Sequence, residues 1–283
     1  MGAPLASNSE QIDYWNGDAG KRWAAQQQRL DAMLADITAE ALAEAKPQPG
    51  EHGLDVGCGC GDTVLQLAEK VGPGGRVVGL DISQPMLAQA KARADARKLP
   101  VSFVQADAAA HRFDGAQFDL LFSRFGVMFF ADPDRTFANL RKALKPDGRV
   151  AFVCWRDARD NEWVRVPVGA VRPHVAPQTQ MGPEDPGPFS FGNPGRVRRI
   201  LATGGFDVIT VKPFDTPMNL GATLDAAVAD IQEFGPVSRL LKDASPSQRD
   251  AAVGAVREAL APYAKTPPVR LAGAVWLVTA KAG

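Results

Sequence analysis

The chain has 283 residues, 45% of them hydrophobic and 23% charged, with 32 Lys plus Arg balanced by 32 Asp plus Glu. Near-average apolar content excludes a disordered chain, and zero net charge argues against binding a phosphate backbone, so no nucleic-acid partner is expected. The length allows one large domain with insertions or two small ones, and three cysteines exclude a disulfide framework and point to a reducing, cytoplasmic setting.

The opening residues, MGAPLASNSEQIDYW, have no basic end followed by an apolar stretch, so a secretory signal is not expected, and Ala6 stands where a myristoylation signal needs Ser or Thr. No apolar run approaches the roughly 18 residues of a membrane span. Residues 9–46 read as helical with a break near 16–20, and Leu30, Met33, Leu34 and Ile37 make one apolar stripe. Pro47, Pro49 and Gly50 end this segment, so residues 1–50 are expected to form a helical cap.

From 51 to 155, short apolar runs alternate with helical patterns. The runs are 53–57, 76–81, 101–105, 118–123 and 149–155; the helices are 63–71, 83–97 and 133–144. Ser83 is placed to cap the second of these helices, with Pro85 in its first turn, and Lys145-Pro146-Asp147-Gly148 marks a turn after the third. Strands alternating with helices imply a parallel, doubly wound α/β sheet with right-handed crossovers. Residues 156–195 change to a proline- and glycine-rich tract with one helix near 162–171. A helix over 194–203 and a strand over 206–211 follow, then helices over 223–262 broken at Gly235-Pro236 and near Pro246, then a last strand over 271–280. The expected division is a cap at 1–50, a sheet domain at 51–213 and 266–283, and a helical insertion at 214–265, read as a substrate cap or as a homodimer face.

The most informative segment is LDVGCGCGD, residues 54–62, where an apolar strand enters three alternating glycines and then a helix. Glycines permit positive φ and close backbone approach, and the free N–H groups of the helix start face the same spot. A phosphate-cradling loop needs a Lys near the helix start, where this chain has Asp62 and Thr63. The dinucleotide fingerprint needs glycine at 62, and the aspartate there opposes a diphosphate. A ligand with a cationic or zwitterionic end suits the loop better; the bland alternative is a turn that only packs helix on strand. Asp81 ends the second strand, well placed for ribose hydroxyls, and Asp107 follows the third, placed for an exocyclic base amine or as a turn residue. The Cys58 and Cys60 spacing is wrong for a zinc knuckle, and no metal is expected.

Together these pieces resemble the class I S-adenosylmethionine-dependent methyltransferases, especially the small-molecule group similar to the ubiquinone and menaquinone biosynthesis C-methyltransferases. LDVGCGCGD, GLDISQPMLAQA, the Asp107-Ala108 pair, FDLLFSRFGVMFF and LRKALKPDGRVAFVCW stand in the family's order and spacing. The resemblance implies a Rossmann-like seven-stranded sheet, six strands parallel and one antiparallel, with S-adenosyl-L-methionine as cofactor and a small-molecule acceptor. It also implies roles for particular residues. Gly57, Gly59 and the Cys58 backbone would line the methionine part, and Asp55 would orient its amino group. Asp81 would hold the ribose hydroxyls, with Ile82 and Met86 against the adenine. Asp107 and Ala108 would meet the adenine amine, and Ser123 would sit near the methionine end. Tyr14, Trp15 and Trp23 suit an aromatic cover over the cofactor, with helix packing as the equal alternative.

A dedicated base is needed only if the acceptor must lose a proton. His52 opens the first strand, at the far end from the site, and His111 lies near the adenine rim. The candidates for acting on the acceptor are therefore Arg124, which can bind a carboxylate or phosphate bidentately, and His174. Trp15, Phe125 and Trp155 are candidate acceptor walls. Two other functions stay open at this point: a cofactor-binding regulatory module without methyl transfer, and a nicotinamide-dependent oxidoreductase. The acceptor atom, its identity and the oligomeric state are not legible.

Overall fold

The computed structural model describes residues 8–177, 182–233 and 235–283. The N-terminal segment forms α1 (Ser9–Asn16), α2 (Asp18–Ala25), α3 (Gln27–Met33) and α4 (Ala35–Ala45). Leu30, Leu34, Ile37, Ala41 and Leu42 are buried, as the 3–4 spacing of the stripe requires. Lys46 adopts a left-handed conformation after α4, and Arg149 fastens this end by donating to the Ala45 and Lys46 carbonyls and to the Glu51 carboxylate.

The alternating segment then gives β1 (His52–Val56), α5 (Asp62–Val71), β2 (Arg76–Asp81), α6 (Gln84–Arg97), β3 (Val101–Gln105), β4 (Phe118–Arg124), α7 (Pro133–Arg141) and β5 (Leu144–Trp155). β1 to β5 pair in parallel, with β1, β2, β4 and β5 largely buried and β3 half-buried at the sheet edge. The Lys145-Pro146-Asp147-Gly148 turn is a bulge inside β5: Leu144 pairs with Phe118, the register shifts, and Arg149 pairs with Leu120. Asp147 sits there at φ 64.

The rest of the chain comprises α8 (Glu162–Val171), α9 (Pro194–Thr203), β6 (Phe206–Gly221), α10 (Leu224–Glu233), α11 (Gly235–Leu240), α12 (Pro246–Leu260) and β7 (Val269–Ala282). The seven-stranded sheet has the order β3-β2-β1-β4-β5-β7-β6, with β7 antiparallel. The strand order reverses direction between β1 and β4, which makes a crevice at the carboxyl ends of those strands.

The chain divides into two compact units: one holds residues 1–155, 184–213 and 276–283, and the other holds 156–183 and 214–275. In the first, β6 is the edge strand, and Val208 stands there 69% exposed at φ 48. In the second, Val164, Val171, Ile231, Val256 and Leu260 form an apolar centre. Ser245 and Gln248 close a reciprocal cap on α12. Buried Asn161 holds both the N–H and the carbonyl of Ala274.

Candidate functional site

The site is built in the first unit, at the carboxyl ends of β1, β2 and β4. β1 runs into Gly57, Gly59 and Gly61, at φ 69, 53 and 81, all left-handed. The glycines do different things. A Cβ on Gly57 would lie 2.7 Å from the Gly126 Cα, so the loop after β1 and the turn after β4 touch backbone to backbone. A Cβ on Gly59 would meet only the Met86 Sδ, at 3.8 Å. The loop is therefore closed against the fold at Gly57 and open at Gly59.

Asp81 governs that open position. Its Oδ2 accepts from the Gly59 N–H at 2.7 Å and its Oδ1 from the Ser83 N–H at 2.8 Å. The carboxylate is 5% exposed, and burial pushes its pKa up against the lowering effect of these backbone donors. Each oxygen keeps lone-pair capacity for a further donor. Asp55, one strand over, is fully buried. Thr63 Oγ1 donates to its Oδ2, while Oδ1 has no hydrogen-bond partner among the described residues. Burial raises the Asp55 pKa to about 7, against the lowering effects of Thr63 and Arg124 and with Asp81 and Asp62 adding to the rise. A buried acceptor left open beside a glycine loop fits a donor arriving from a ligand.

Around these two acids the sequence-predicted residues fall as follows. Ile82 and Met86 lie on the loop and first turn after β2, with Met86 buried. Asp107 makes a turn: its Oδ1 accepts from the Ala109 N–H, and Asn139 holds the Ala108 carbonyl at 3.0 Å. Ser123 is buried, donates to the Val56 carbonyl at 2.6 Å and accepts from the Gly126 N–H, so its hydroxyl stitches the two site loops together. Cys58 is buried against β2, where a Cβ on Gly79 would lie 2.8 Å from its Sγ, and burial pushes the thiol well above its usual range. No group of three or more potential metal ligands occurs among the described residues.

The N-terminal helices are tied to the loop after β2. Trp15 contacts Tyr14, Trp23 and Phe129 edge to face at 5.1, 5.8 and 5.5 Å between centroids. Tyr14 itself is 40% exposed. Ser83 stands at the N-cap of α6 but does not cap it: its hydroxyl donates to the Trp15 carbonyl at 2.6 Å. Asn16 supplies the cap instead, accepting from the Gln84 N–H and donating to the Ile82 carbonyl. Sequence alone gives no sign of this exchange, because the partners stand 66 and 68 positions apart.

Arg124 ends β4. Its guanidinium is engaged by Thr38 Oγ1 at 2.7 Å, Asp62 at 2.9 Å and Asp31 at 3.3 Å. Phe125 follows at φ 65, a conformation unfavourable for an aromatic residue, and its ring stacks on Trp155 at 4.4 Å and 11°. His174 ends a short turn over Arg172–His174 in the second unit, His52 begins β1, and His111 packs edge-on against Phe113.

Residues 54–148 match the methyltransferase domain family. That segment is a methyltransferase domain. It is 36% identical over 169 residues to nocamycin O-methyltransferase of Saccharothrix syringae, covering 56% of this chain and 60% of that protein. It is 43% identical over 100 residues to demethylmenaquinone methyltransferase of Thermus thermophilus, covering 35% of this chain and 45% of that one. The chain thus spans about half the length of the curated relatives it matches. A structure of Haemonchus contortus phosphoethanolamine N-methyltransferase 2, determined with phosphomonomethylethanolamine and S-adenosylhomocysteine, aligns with TM-score 0.58 at 20% identity, over 99% of this chain and 61% of that one. That likeness carries the fold. The methyltransferase domain contains the glycine loop, Asp55, Asp81, Asp107 and Arg124; Trp155 and His174 lie beyond it.

Proposed function

We propose that this chain is a methyltransferase that uses S-adenosyl-L-methionine to methylate a small molecule in a covered, apolar pocket. One observation carries the reading: two buried carboxylates stand by the glycine loop, Asp81 on the Gly59 N–H and Asp55 at the end of β1 with an unpartnered oxygen. A cofactor with an ammonium at one end and a ribose diol further along satisfies both acids, whereas the two carboxylates oppose a diphosphate. The cofactor supplies an activated methyl group on a sulfonium. The chain's own residues bind it and exclude water. Asp55 takes the amino group, Asp81 the ribose hydroxyls, and Gly57, Cys58 and Gly59 offer backbone to the methionine part. Ile82, Met86, Asp107 and Ala108 frame the adenine, and Ser123, near the methionine end, ties the loop after β1 to the turn after β4.

On the acceptor side, the Phe125–Trp155 stack and Trp15 are the proposed walls. Tyr14 and Trp23 continue the aromatic cover. Arg124 and His174 are the candidates for acting on the acceptor. The three partners of Arg124 favour a positioning role for it, developed below. The names of the two curated relatives place small molecules on the acceptor side of those proteins, and the same class is proposed here.

Calorimetric titration with S-adenosylhomocysteine tests the proposal. One-to-one binding is expected; absence of heat, or tighter binding of a nicotinamide dinucleotide, overturns it. A second outcome concerns protons. A carboxyl whose folded pKa lies near 7 rather than 3.8 contributes stability that is full below pH 3.8 and is lost as pH rises toward about 7. An ammonium against Oδ1 favours the ionised form, so ligand binding is expected to release a proton below pH 7 and to tighten as pH rises toward it. Titrations at about pH 6 in buffers of different ionisation enthalpy read this directly. Observed heats independent of the buffer would remove Asp55 from the ammonium site.

A further inference from the structure

The N-terminal helices, tied to the loop after β2 through Trp15 and Asn16, reach the glycine loop through charge. Four ionic side chains, each less than a fifth exposed, form one cluster: Asp31 on α3, Asp62 at the start of α5, Arg93 in α6 and Arg124 at the end of β4. Arg93 Nη2 lies 3.0 Å from Asp31 and 3.7 Å from Asp62, and Arg124 meets Asp62 at 2.9 Å and Asp31 at 3.3 Å. Each guanidinium thus touches both carboxylates. Gln27 donates to Asp31, Gln66 to Asp62 and Arg124 to Thr38, so the donors and acceptors are matched. The cluster also reaches the loop itself: Arg93 Nη1 donates to the Cys60 carbonyl at 2.6 Å, midway between Gly59 and Gly61.

Buried ion pairs contribute little net stability compared with apolar packing, but they demand one geometry, and losing one partner leaves the others without compensation. Here the geometry that is fixed belongs to the loop. Asp31 is the member that comes from the N-terminal helices, 26 or more positions before the loop. Without its charge, two guanidinia share Asp62 alone, and Arg93 loses the partner that aims it at Cys60.

We propose that Asp31 is a positioning residue for cofactor binding: by bridging Arg93 and Arg124 it fixes the Cys60 carbonyl and Asp62, so that docking of the N-terminal helices and the shape of the glycine loop are one coupled event. The proposal rests on the cofactor reading above. It assigns Arg124 to holding the loop rather than to contacting an acceptor.

The test compares the full chain with Asp31→Asn, Asp31→Glu and Thr38→Val, reading S-adenosylhomocysteine affinity by calorimetry and amide hydrogen exchange at residues 58–61. If the unaltered chain fails to bind, the cofactor reading falls; if it binds, the variants judge the positioning role alone. Asp31→Asn is expected to weaken binding about tenfold and to speed exchange in the loop, with Asp31→Glu returning to within about threefold. Thr38→Val keeps the helix shape while removing one acceptor from Arg124, and is expected to weaken binding about threefold; it carries the test should Asp31→Asn not fold. A lowered melting temperature with affinity and loop exchange unchanged would make the cluster merely structural and overturn the proposal.

Discussion

Asp81→Ala is expected to weaken S-adenosylhomocysteine binding by about two to three orders of magnitude, the largest loss of any single side chain in the site. Two effects act together. The proposed contacts to the ribose hydroxyls disappear, each a hydrogen bond to a charged group of about 1.5–3 kcal/mol. The loop also loses its template, because Gly59 and Ser83 are left with N–H groups that had been held at 2.7 and 2.8 Å. Folding stability should fall by only about 2 kcal/mol, since removing a buried charge offsets part of the cost of the orphaned donors. Calorimetry and thermal unfolding of the same sample separate the two effects. Affinity within threefold of the unaltered chain would remove Asp81 from the binding site.

Gly57→Ala and Gly59→Ala, two positions apart, are expected to fail in opposite ways. At Gly57 the added methyl would lie 2.7 Å from the Gly126 Cα, with φ at 69. Gly126 cannot yield, because a Cβ on it would itself lie 2.6 Å from the Val56 carbonyl and because Ser123 holds its N–H. Backbone would have to move on both sides, at about 3 kcal/mol or more, a large part of a typical domain's stability. At Gly59 the methyl meets nothing nearer than Met86 at 3.8 Å, so only the left-handed φ of 53 is charged against folding, about 1–2 kcal/mol. That methyl points into the open side of the loop, and S-adenosylhomocysteine affinity should drop at least about tenfold by excluded volume. Urea unfolding and calorimetry check the pair. A folded, stable Gly57→Ala chain beside an unfolded Gly59→Ala chain would reverse the assignment of the two glycines.

What could be read from sequence follows from how local each signal is. β1 to β5 are short, mainly apolar runs, β1 followed by Gly57 and β2 ending at Asp81, and helical patterns separate several of them, so strand, helix and loop are each written within a dozen residues. Asp81 stood out as an acid at the end of the second strand, while Asp55 drew attention only through the resemblance of the glycine motif to the methyltransferases. β6 was legible only in part. Pro213 and Pro217 argue for a break after 211, yet the strand runs to Gly221, with Thr216, Met218 and Leu220 buried in alternation. An edge strand tolerates prolines because one row of its N–H groups has no ladder to join. The turn signal at 145–148 was sound, but it lies inside a strand as a bulge rather than before one. The Asp31–Arg93–Asp62–Arg124 cluster was not legible. Its members sit 31 to 93 positions apart on four elements, and isolated charges on helices normally mark a solvated face. Thr63 escaped notice because a threonine one step into a helix has no distinctive spacing; only the burial of Asp55 gives it a purpose.

The left-handed backbone at Val208 has a bearing on strand addition between molecules at high concentration. An outermost strand is a ready template for pairing with another chain, and a branched aliphatic side chain in solvent would normally add to that hazard. A left-handed residue so near the start of β6 breaks the straight run of free backbone groups. Misassembly by strand addition is thereby discouraged at the margin that the fold leaves uncovered.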